Sequence, residues 1–455
     1  MRIRITRLLG AVIALGAVGA LGAWVTTIAF GNIGGDKTAS LGVAVTPELI
    51  QRGAYVAKLG DCAACHTAPG GKDFAGGLPL QTPIGAVFST NITPDKTNGI
   101  GGYTYGEFER AVRRGMLPDG TSLYPAMPFP SYAKISDDDM KALYAFFTKG
   151  VAPVAQKNRS ADIPWPLSMR WPLTYWRWVF GPRVETQTVA QTSAADPLLA
   201  RGAYLVEGLG HCGSCHTPRG IGLEEKALSA SDGPNYLSDG FVDNHVANNL
   251  RGDPVTGLGT WSEDDIVQFL QTGRNSKSAA FGGMADVVSH STQFMRDDDL
   301  RAIARYLKSL PPDGSPREAT DSDRAGKDKT QAMLAAADVS KPGALDYLNN
   351  CAACHLSSGR GYRDTFPALA ANPVVNATDP TSVIHIIMQG ATIPRTLKAP
   401  TDFTMPGFAD RLTDKEIADL ATFVRSSWGN NAPAVSPDQV AKLRATIDAA
   451  RPPER

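Results

Sequence analysis

Apolar residues recur along this chain at three- and four-residue spacing, in short runs that come in sets of three. One set stands late in each stretch. Leu143, Phe146 and Phe147 follow Ser136-Asp137-Asp138-Asp139. Leu300, Ile303, Ala304 and Leu307 follow Asp297-Asp298-Asp299, and Ile417, Leu420 and Val424 follow Thr413-Asp414-Lys415-Glu416. This spacing lines one face of an α-helix. Acids in the first turn oppose the positive end of the helix dipole, and a capping residue is expected at each start. A second set opens each stretch. Thr46-Pro47-Glu48-Leu49-Ile50 predicts a helix with Thr46 as N-cap and Pro47 at its first position. It runs on through Arg52-Gly53-Ala54-Tyr55-Val56-Ala57, and Arg201-Gly202-Ala203-Tyr204-Leu205-Val206 repeats that segment almost word for word. Pro342-Gly343-Ala344-Leu345-Asp346-Tyr347-Leu348 is a looser third version. The pattern predicts an all-α chain built from three tandem copies of one small domain, not a solenoid.

Each opening helix leads into the same motif. Cys62-Ala63-Ala64-Cys65-His66, Cys212-Gly213-Ser214-Cys215-His216 and Cys351-Ala352-Ala353-Cys354-His355 use all six cysteines of the chain. Two cysteines three apart can add to the two vinyl groups of one haem, and the adjacent histidine falls under the ring as proximal iron ligand. A thioredoxin-type pair needs no histidine after it. A zinc site needs four ligands, so these pairs would have to converge. Three covalent haems c are therefore predicted, ligated by His66, His216 and His355.

What fills the sixth iron position decides the chemistry. Methionine makes a low-spin electron carrier, whereas an open position invites oxygen or peroxide chemistry. An opening helix leading into the motif, long loops and a closing helix resemble the plan of class I cytochrome c, which implies a ligand in the loop before the closing helix. Met127 stands there in Tyr124-Pro125-Ala126-Met127-Pro128, and Met405 in Thr404-Met405-Pro406-Gly407-Phe408, each beside prolines that stiffen the loop. The second copy offers Met284, in Phe281-Gly282-Gly283-Met284-Ala285-Asp286, and Met295 directly before the helix. Met284 is the expected ligand, with Met295 stapling the helix start. Met140 and Met388 lie in apolar helical runs and read as core, and Met116 follows a helix end at Arg113-Arg114-Gly115. The remaining histidines read as structural or surface residues: His211 precedes its own motif, His385 lies on an apolar run, and His245 and His290 sit in polar loops.

Composition adds the compartment. Lys+Arg and Asp+Glu are both 45, so no net charge points to nucleic acid. Three arginines in Met1-Arg2-Ile3-Arg4-Ile5-Thr6-Arg7 precede an apolar run from Leu8 to Phe30. Such a start stays in the cytoplasm and sends the rest across. Haem attachment outside the bacterial cytoplasm requires that export. The run is long enough to span a bilayer and reads as a retained anchor, with a cleaved signal peptide as the alternative. The expected divisions are a signal or anchor at 1–34, haem domains at 45–155, 195–312 and 335–430, a Trp-rich linker at 156–194, a linker at 313–334, and a tail at 431–455 with a polar helix from Pro437 to Ala450.

In these motifs the chain resembles the triheme cytochrome c subunits of membrane-bound bacterial dehydrogenases, above all those of quinoprotein alcohol dehydrogenases. The resemblance is carried by Gly85-Ala86-Val87-Phe88-Ser89-Thr90-Asn91-Ile92-Thr93-Pro94-Asp95, the Met127 loop and Pro164-Trp165-Pro166-Leu167-Ser168-Met169-Arg170-Trp171-Pro172-Leu173. Trp261-Ser262-Glu263-Asp264-Asp265-Ile266-Val267, the Met284 stretch through Val288, and Trp428-Gly429-Asn430-Asn431-Ala432-Pro433 carry it further, over nearly all of residues 45–445. It implies class I cytochrome c domains with Met127, Met284 and Met405 as axial ligands. It implies that electrons enter from the catalytic subunit of a pyrroloquinoline quinone alcohol dehydrogenase or a molybdopterin aldehyde dehydrogenase, with a flavin gluconate, sorbitol or fructose dehydrogenase as the alternative, and leave to ubiquinone at the periplasmic face of the cytoplasmic membrane. A third small subunit is a further implied partner. Alcohol-type members tend to have a cleaved signal and a longer tail, so the apolar N-terminus and short tail shift weight toward an aldehyde-type partner.

Ile163 to Phe180 holds four of the seven tryptophans, with Arg170, Tyr175 and Arg177 between them. Such mixed stretches favour a membrane or protein interface, against a linker packed across two haem domains. Replacing Trp171, Trp176 and Trp178 is expected to lower quinone reductase activity with haem content retained. Arg113 and Arg114 are candidates for pairing with haem propionates or for the surface. No nucleophile–base pair or dinucleotide loop is present, so the chain carries no dehydrogenation chemistry of its own. The rival readings are a haem enzyme with one open iron, and a shuttle to a terminal oxidase.

Overall fold

In each copy the opening helix crosses the closing helix at a glycine. A Cβ on Gly53 would lie 1.9 Å from the Ala142 carbonyl oxygen, one on Gly202 would lie 2.0 Å from that of Ala302, and one on Gly343 would lie 2.4 Å from that of Asp419. All three carbonyls stand at the sixth residue of their helix. Only glycine lets the two backbones approach so closely. The opening helices are Pro47–Leu59, Pro197–Ala203 with its wider-turn continuation Tyr204–Leu209, and Ala344–Asn350. The closing helices are Asp137–Ala145, Asp297–Ser309 and Asp414–Arg425. In the first two copies an ion pair fastens the crossing: Arg52 to Asp139 at 2.8 Å, and Arg201 to Asp299 at 2.7 Å.

This computed structural model describes residues 16, 19, 21–22, 35–182, 184, 196–314 and 329–450. They fall into two compact units: one holds those up to Ala57 and those from Cys65 to 187, the other Lys58–Ala64 and those from 188 onward. The structure is mainly helical. Three two-stranded antiparallel hairpins qualify the all-α expectation: Pro79–Thr82 with Gly85–Phe88, Gly240–Val242 with His245–Ala247, and Ala391–Ile393 with Phe403–Met405. Most of the predicted anchor lies outside the described residues. Among the described residues no helix is long and apolar enough to cross a membrane.

Between opening and closing helix each copy places another helix: Tyr105–Arg114, Glu263–Thr272 and Thr381–Gln389. The first two begin with reciprocal caps, Thr104 with Glu107 and Ser262 with Asp265. All three end on a glycine of positive φ, Gly115 and Gly273 in the left-handed helical conformation and Gly390 with an extended ψ. Met116 follows the first of these and is fully buried, while Met140 and Met388 are core as expected. The closing helices differ from expectation at one start. Ser136 and Thr413 cap theirs, but the second begins at Arg296 with no side-chain cap. Arg296 has no acceptor atom to cap with, and Asp299 pairs with Arg201 and Arg296.

The C-terminal segment is more than a tail. Helix Pro437–Ala450 buries Val440, Leu443 and Ile447 in the same apolar core as Tyr347, Ile384, Leu420 and Trp428. Arg444 pairs with Asp414 at 2.8 Å. Its apolar residues are few but fall on one face, so a helix polar in composition still contributes a core stripe.

Candidate functional site

The three motifs form short helices, Cys62–His66, Gly213–His216 and Ala352–His355, directly after the opening helices. Each histidine is held the same way. Nδ1 of His66 donates to the Thr90 carbonyl at 2.6 Å, Nδ1 of His216 to the Asn248 carbonyl at 2.6 Å, and Nδ1 of His355 to the Pro367 carbonyl at 2.9 Å. A carbonyl only accepts, so Nδ1 carries the proton and Nε2 keeps its lone pair. Burial holds all three imidazoles below the usual histidine range, hence neutral. A neutral ring fixed through Nδ1 is oriented to bind a metal through Nε2.

The carbonyls come from loops that share a second device. The side-chain oxygen of Asn91 accepts the N–H of Thr93 at 2.9 Å, that of Asn249 the N–H of Arg251 at 2.7 Å, and that of Asn372 the N–H of Val374 at 2.9 Å. Sequence reasoning missed these residues. The carbonyl lies 24, 32 and 12 positions after its histidine, so no constant spacing reveals it.

Haem chemistry has a concrete test in the third copy. His355 and Met405 line one cavity, and its other walls include Val375, Val383, Ile387, Leu420 and Val424. An apolar slot with an imidazole and a thioether fits a flat apolar macrocycle ligated on both faces. Ser278, Ala279 and Phe281, from the loop before Met284, also line it. The cysteines fit as well. Burial pushes the thiols of Cys212 and Cys351 up to about 12 and that of Cys215 up to about 11, opposite to the low values of a redox C-x-x-C pair. Among the described residues no group of three or more His, Cys, Asp or Glu side chains is arranged to hold a bare metal ion.

The methionines do not all sit in loops. Met127 does, in a turn where its N–H bonds the Tyr124 carbonyl at 3.2 Å. Met284 is the second residue of helix Gly283–His290, and Met405 ends a hairpin strand opposite Ala391. Met295 is buried before the closing helix, consistent with apolar packing. Two histidines placed in polar loops are elsewhere: His245 opens a strand and His290 ends a helix. His245 packs against His385, ring centroids 4.1 Å apart.

Arg113 is not at the surface. It is buried and pairs with Asp137 at 2.7 Å and Glu109 at 3.4 Å, while Arg114 reaches Glu109 at 3.4 Å. The Trp-rich segment folds back on the Met127 loop. Trp176, in helix Pro172–Phe180, meets the Phe129 ring at 6.0 Å, and Arg170, just before that helix, covers the Tyr124 ring at 4.1 Å. Trp165 and Trp178 remain 80% and 81% exposed.

Comparison with known proteins agrees with this chemistry. Residues 340–428 match the cytochrome c family model. The gluconate 2-dehydrogenase cytochrome c subunit of Pantoea cypripedii is 55% identical over 402 residues, 87% of this chain and 89% of that one. The chain belongs to the family of dehydrogenase cytochrome c subunits. The cytochrome c subunit of alcohol dehydrogenase (quinone) from Gluconacetobacter polyoxogenes is 52% identical over 415 residues, 90% of this chain and 87% of that one. The fructose dehydrogenase cytochrome subunit of Gluconobacter japonicus is 36% identical over 412 residues, 87% and 82% respectively. As a cytochrome c subunit the chain carries covalent haem, transfers electrons and works beside a catalytic dehydrogenase partner.

Proposed function

We propose that the chain is a three-haem relay that carries electrons from the catalytic subunit of a periplasmic, membrane-bound dehydrogenase to ubiquinone. The observation that carries it is the threefold His–carbonyl arrangement, together with the cavity that His355 and Met405 share. Cys62 and Cys65, Cys212 and Cys215, and Cys351 and Cys354 would hold one haem each, and His66 with Met127, His216 with Met284 and His355 with Met405 would ligate the iron. Bound haem supplies one-electron exchange between ferric and ferrous iron.

The protein's part is orientation and exclusion. Thr90, Asn248 and Pro367 fix the imidazoles and raise their basicity through Nδ1. Met127, Met284 and Met405 as iron ligands would keep oxygen and peroxide out and raise the potential. The apolar wall of Val375, Val383, Ile387, Leu420 and Val424 keeps water from the third site, which disfavours the ferric charge. The three tandem domains, the N-terminal anchor and the periplasmic location belong to this same reading. The names of the relatives favour an alcohol or gluconate dehydrogenase over the aldehyde type as partner.

Carbon monoxide tests the ligation. The reduced protein is expected to bind none, because six-coordinate His/Met iron resists it. Stoichiometric binding by the wild type would establish an open iron and move the haem-enzyme reading ahead. Co-purification from detergent-solubilised membranes tests the complex. A large subunit with pyrroloquinoline quinone, molybdopterin or flavin is expected, and a pure single chain that fails to reduce ubiquinone would overturn the relay.

A further inference from the structure

A groove of about 780 Å³ lies on the second unit, and none of the cysteines, histidines and methionines just assigned lines it. Its size suits a small-molecule ligand. Its apolar walls include Phe241, Val246, Ile384 and Leu443, and Asn248 and Asn249 also line it. These two asparagines depart from the pattern of the other copies. Asn91 spends its amide N–H groups on the carbonyls of Val154 and Gln156, at 2.7 and 3.0 Å. Asn372 spends its own on Ala368 and Lys277, at 2.8 and 3.1 Å. In the second copy Asn249 is only 4% exposed, yet its Nδ2 has no hydrogen-bond partner. The side-chain oxygen of Asn248 is likewise buried and unpartnered. A buried donor and a buried acceptor left over at one groove are costly unless a ligand completes them.

We infer that this groove binds the quinone and is where it is reduced, an inference that rests on quinone as the electron acceptor. A quinone is a flat apolar ring with carbonyl acceptors, which matches apolar walls and the Asn249 donor. The product hydroquinone has O–H donors, which match Asn248 Oδ1. The groove also touches the electron path. The backbone carbonyl of Asn248 is the partner of His216 Nδ1, so one hydrogen bond separates the groove wall from a predicted iron ligand. The reaction balances as quinone plus two electrons, delivered singly by the reduced cytochrome chain, plus two protons, giving hydroquinone with an O–H at each former carbonyl. Asp239 lines the groove as a proton donor, and burial with the nearby Asp313 and Asp379 holds its carboxyl above the usual range. Solvent at the open mouth supplies the second proton.

The test uses the full-length haem-loaded protein with ubiquinone-1 and its photoactivatable azido analogue. Asn249→Asp keeps the oxygen that accepts from Arg251 N–H and removes the Nδ2 donor. Leu443→Trp fills the groove from the C-terminal helix. Photolabel is expected in peptides spanning 238–256 and 439–446, and each variant is expected to weaken labelling and slow haem reoxidation by ubiquinone-1 about tenfold, the loss of roughly one hydrogen bond or one wall contact. For Leu443→Trp, which lies on the C-terminal helix and outside the loop that holds His216, the haem spectra and midpoint potentials should stay as in the wild type. Labelling elsewhere, or variants that react like the wild type, would overturn the assignment. A wild-type protein that ubiquinone-1 neither labels nor reoxidises would instead overturn quinone as acceptor.

Discussion

Replacing Gly202 with alanine should destabilise the second unit, against what helix propensity alone predicts. In an exposed helix, glycine to alanine stabilises by about 1 kcal/mol. Here the new methyl would lie 2.0 Å from the Ala302 carbonyl oxygen and 2.6 Å from Tyr306 Cβ, well inside contact distance. The partner atoms are backbone and the first carbon of a side chain, so they cannot swing away. The helices must part by more than an ångström. That loosens Leu205, Leu209, Leu300 and Ala302, all 1% exposed or less, and stretches the Arg201–Asp299 pair at 2.7 Å. Overpacking of a tight core costs about 1–3 kcal/mol, and strained backbone contacts lie at the upper end. After the propensity gain the net loss is about 2 kcal/mol, or roughly 5 °C for a unit of this size. Thermal unfolding of the haem-loaded protein, followed by circular dichroism, reads this directly. The same change at Gly53 should act through Ala142 in the first unit. An unchanged or raised melting temperature for Gly202→Ala would refute the close-crossing argument, because it would mean the helices have room for a Cβ.

Other outcomes follow from the same geometry. Met127→Ala, Met284→Ala and Met405→Ala should each create one carbon monoxide site per chain in the reduced protein, and Met295→Ala none; a site gained by Met295→Ala but not by Met284→Ala would exchange their roles. Arg425 is fully buried and donates to the carbonyls of Pro433 and Val375 at 3.0 Å and Thr378 at 3.3 Å, so Arg425→Met should cost about 3 kcal/mol in chemical unfolding by stranding these acceptors. Trp165→Ser with Trp178→Ser should weaken retention in membranes and lower quinone reduction with haem content unchanged. Trp176 is left out because it packs on Phe129. Normal retention would show that the exposed tryptophans are not an interface. The carboxyl of Asp239 is raised by burial, then by Asp313 and Asp379, so its ionisation opposes folding. Stability should therefore fall as pH rises from the unfolded carboxylate range through the folded value. Asp239→Asn should be more stable than the wild type at about pH 7 and equal to it at about pH 3 in denaturant titrations.

The features that sequence determined by itself are those set by a few neighbouring residues. The three Cys-x-x-Cys-His motifs, the apolar faces of the opening and closing helices, and the caps at Ser136 and Thr413 depend on chemistry and periodicity within one or two turns. The missing side-chain cap at Arg296 is equally local, since a guanidinium has no acceptor to offer the first-turn N–H groups. Tertiary structure alone decided which carbonyl orients each histidine, at separations of 24, 32 and 12 residues. It decided that Phe281, beside the Met284 helix, lines the cavity of His355 and Met405. It also placed the helix Pro437–Ala450 in a core and buried Arg113. Contacts of this kind depend on where loops of unequal length return. Loop length is weakly constrained by closure entropy, so no fixed spacing in the chain records it.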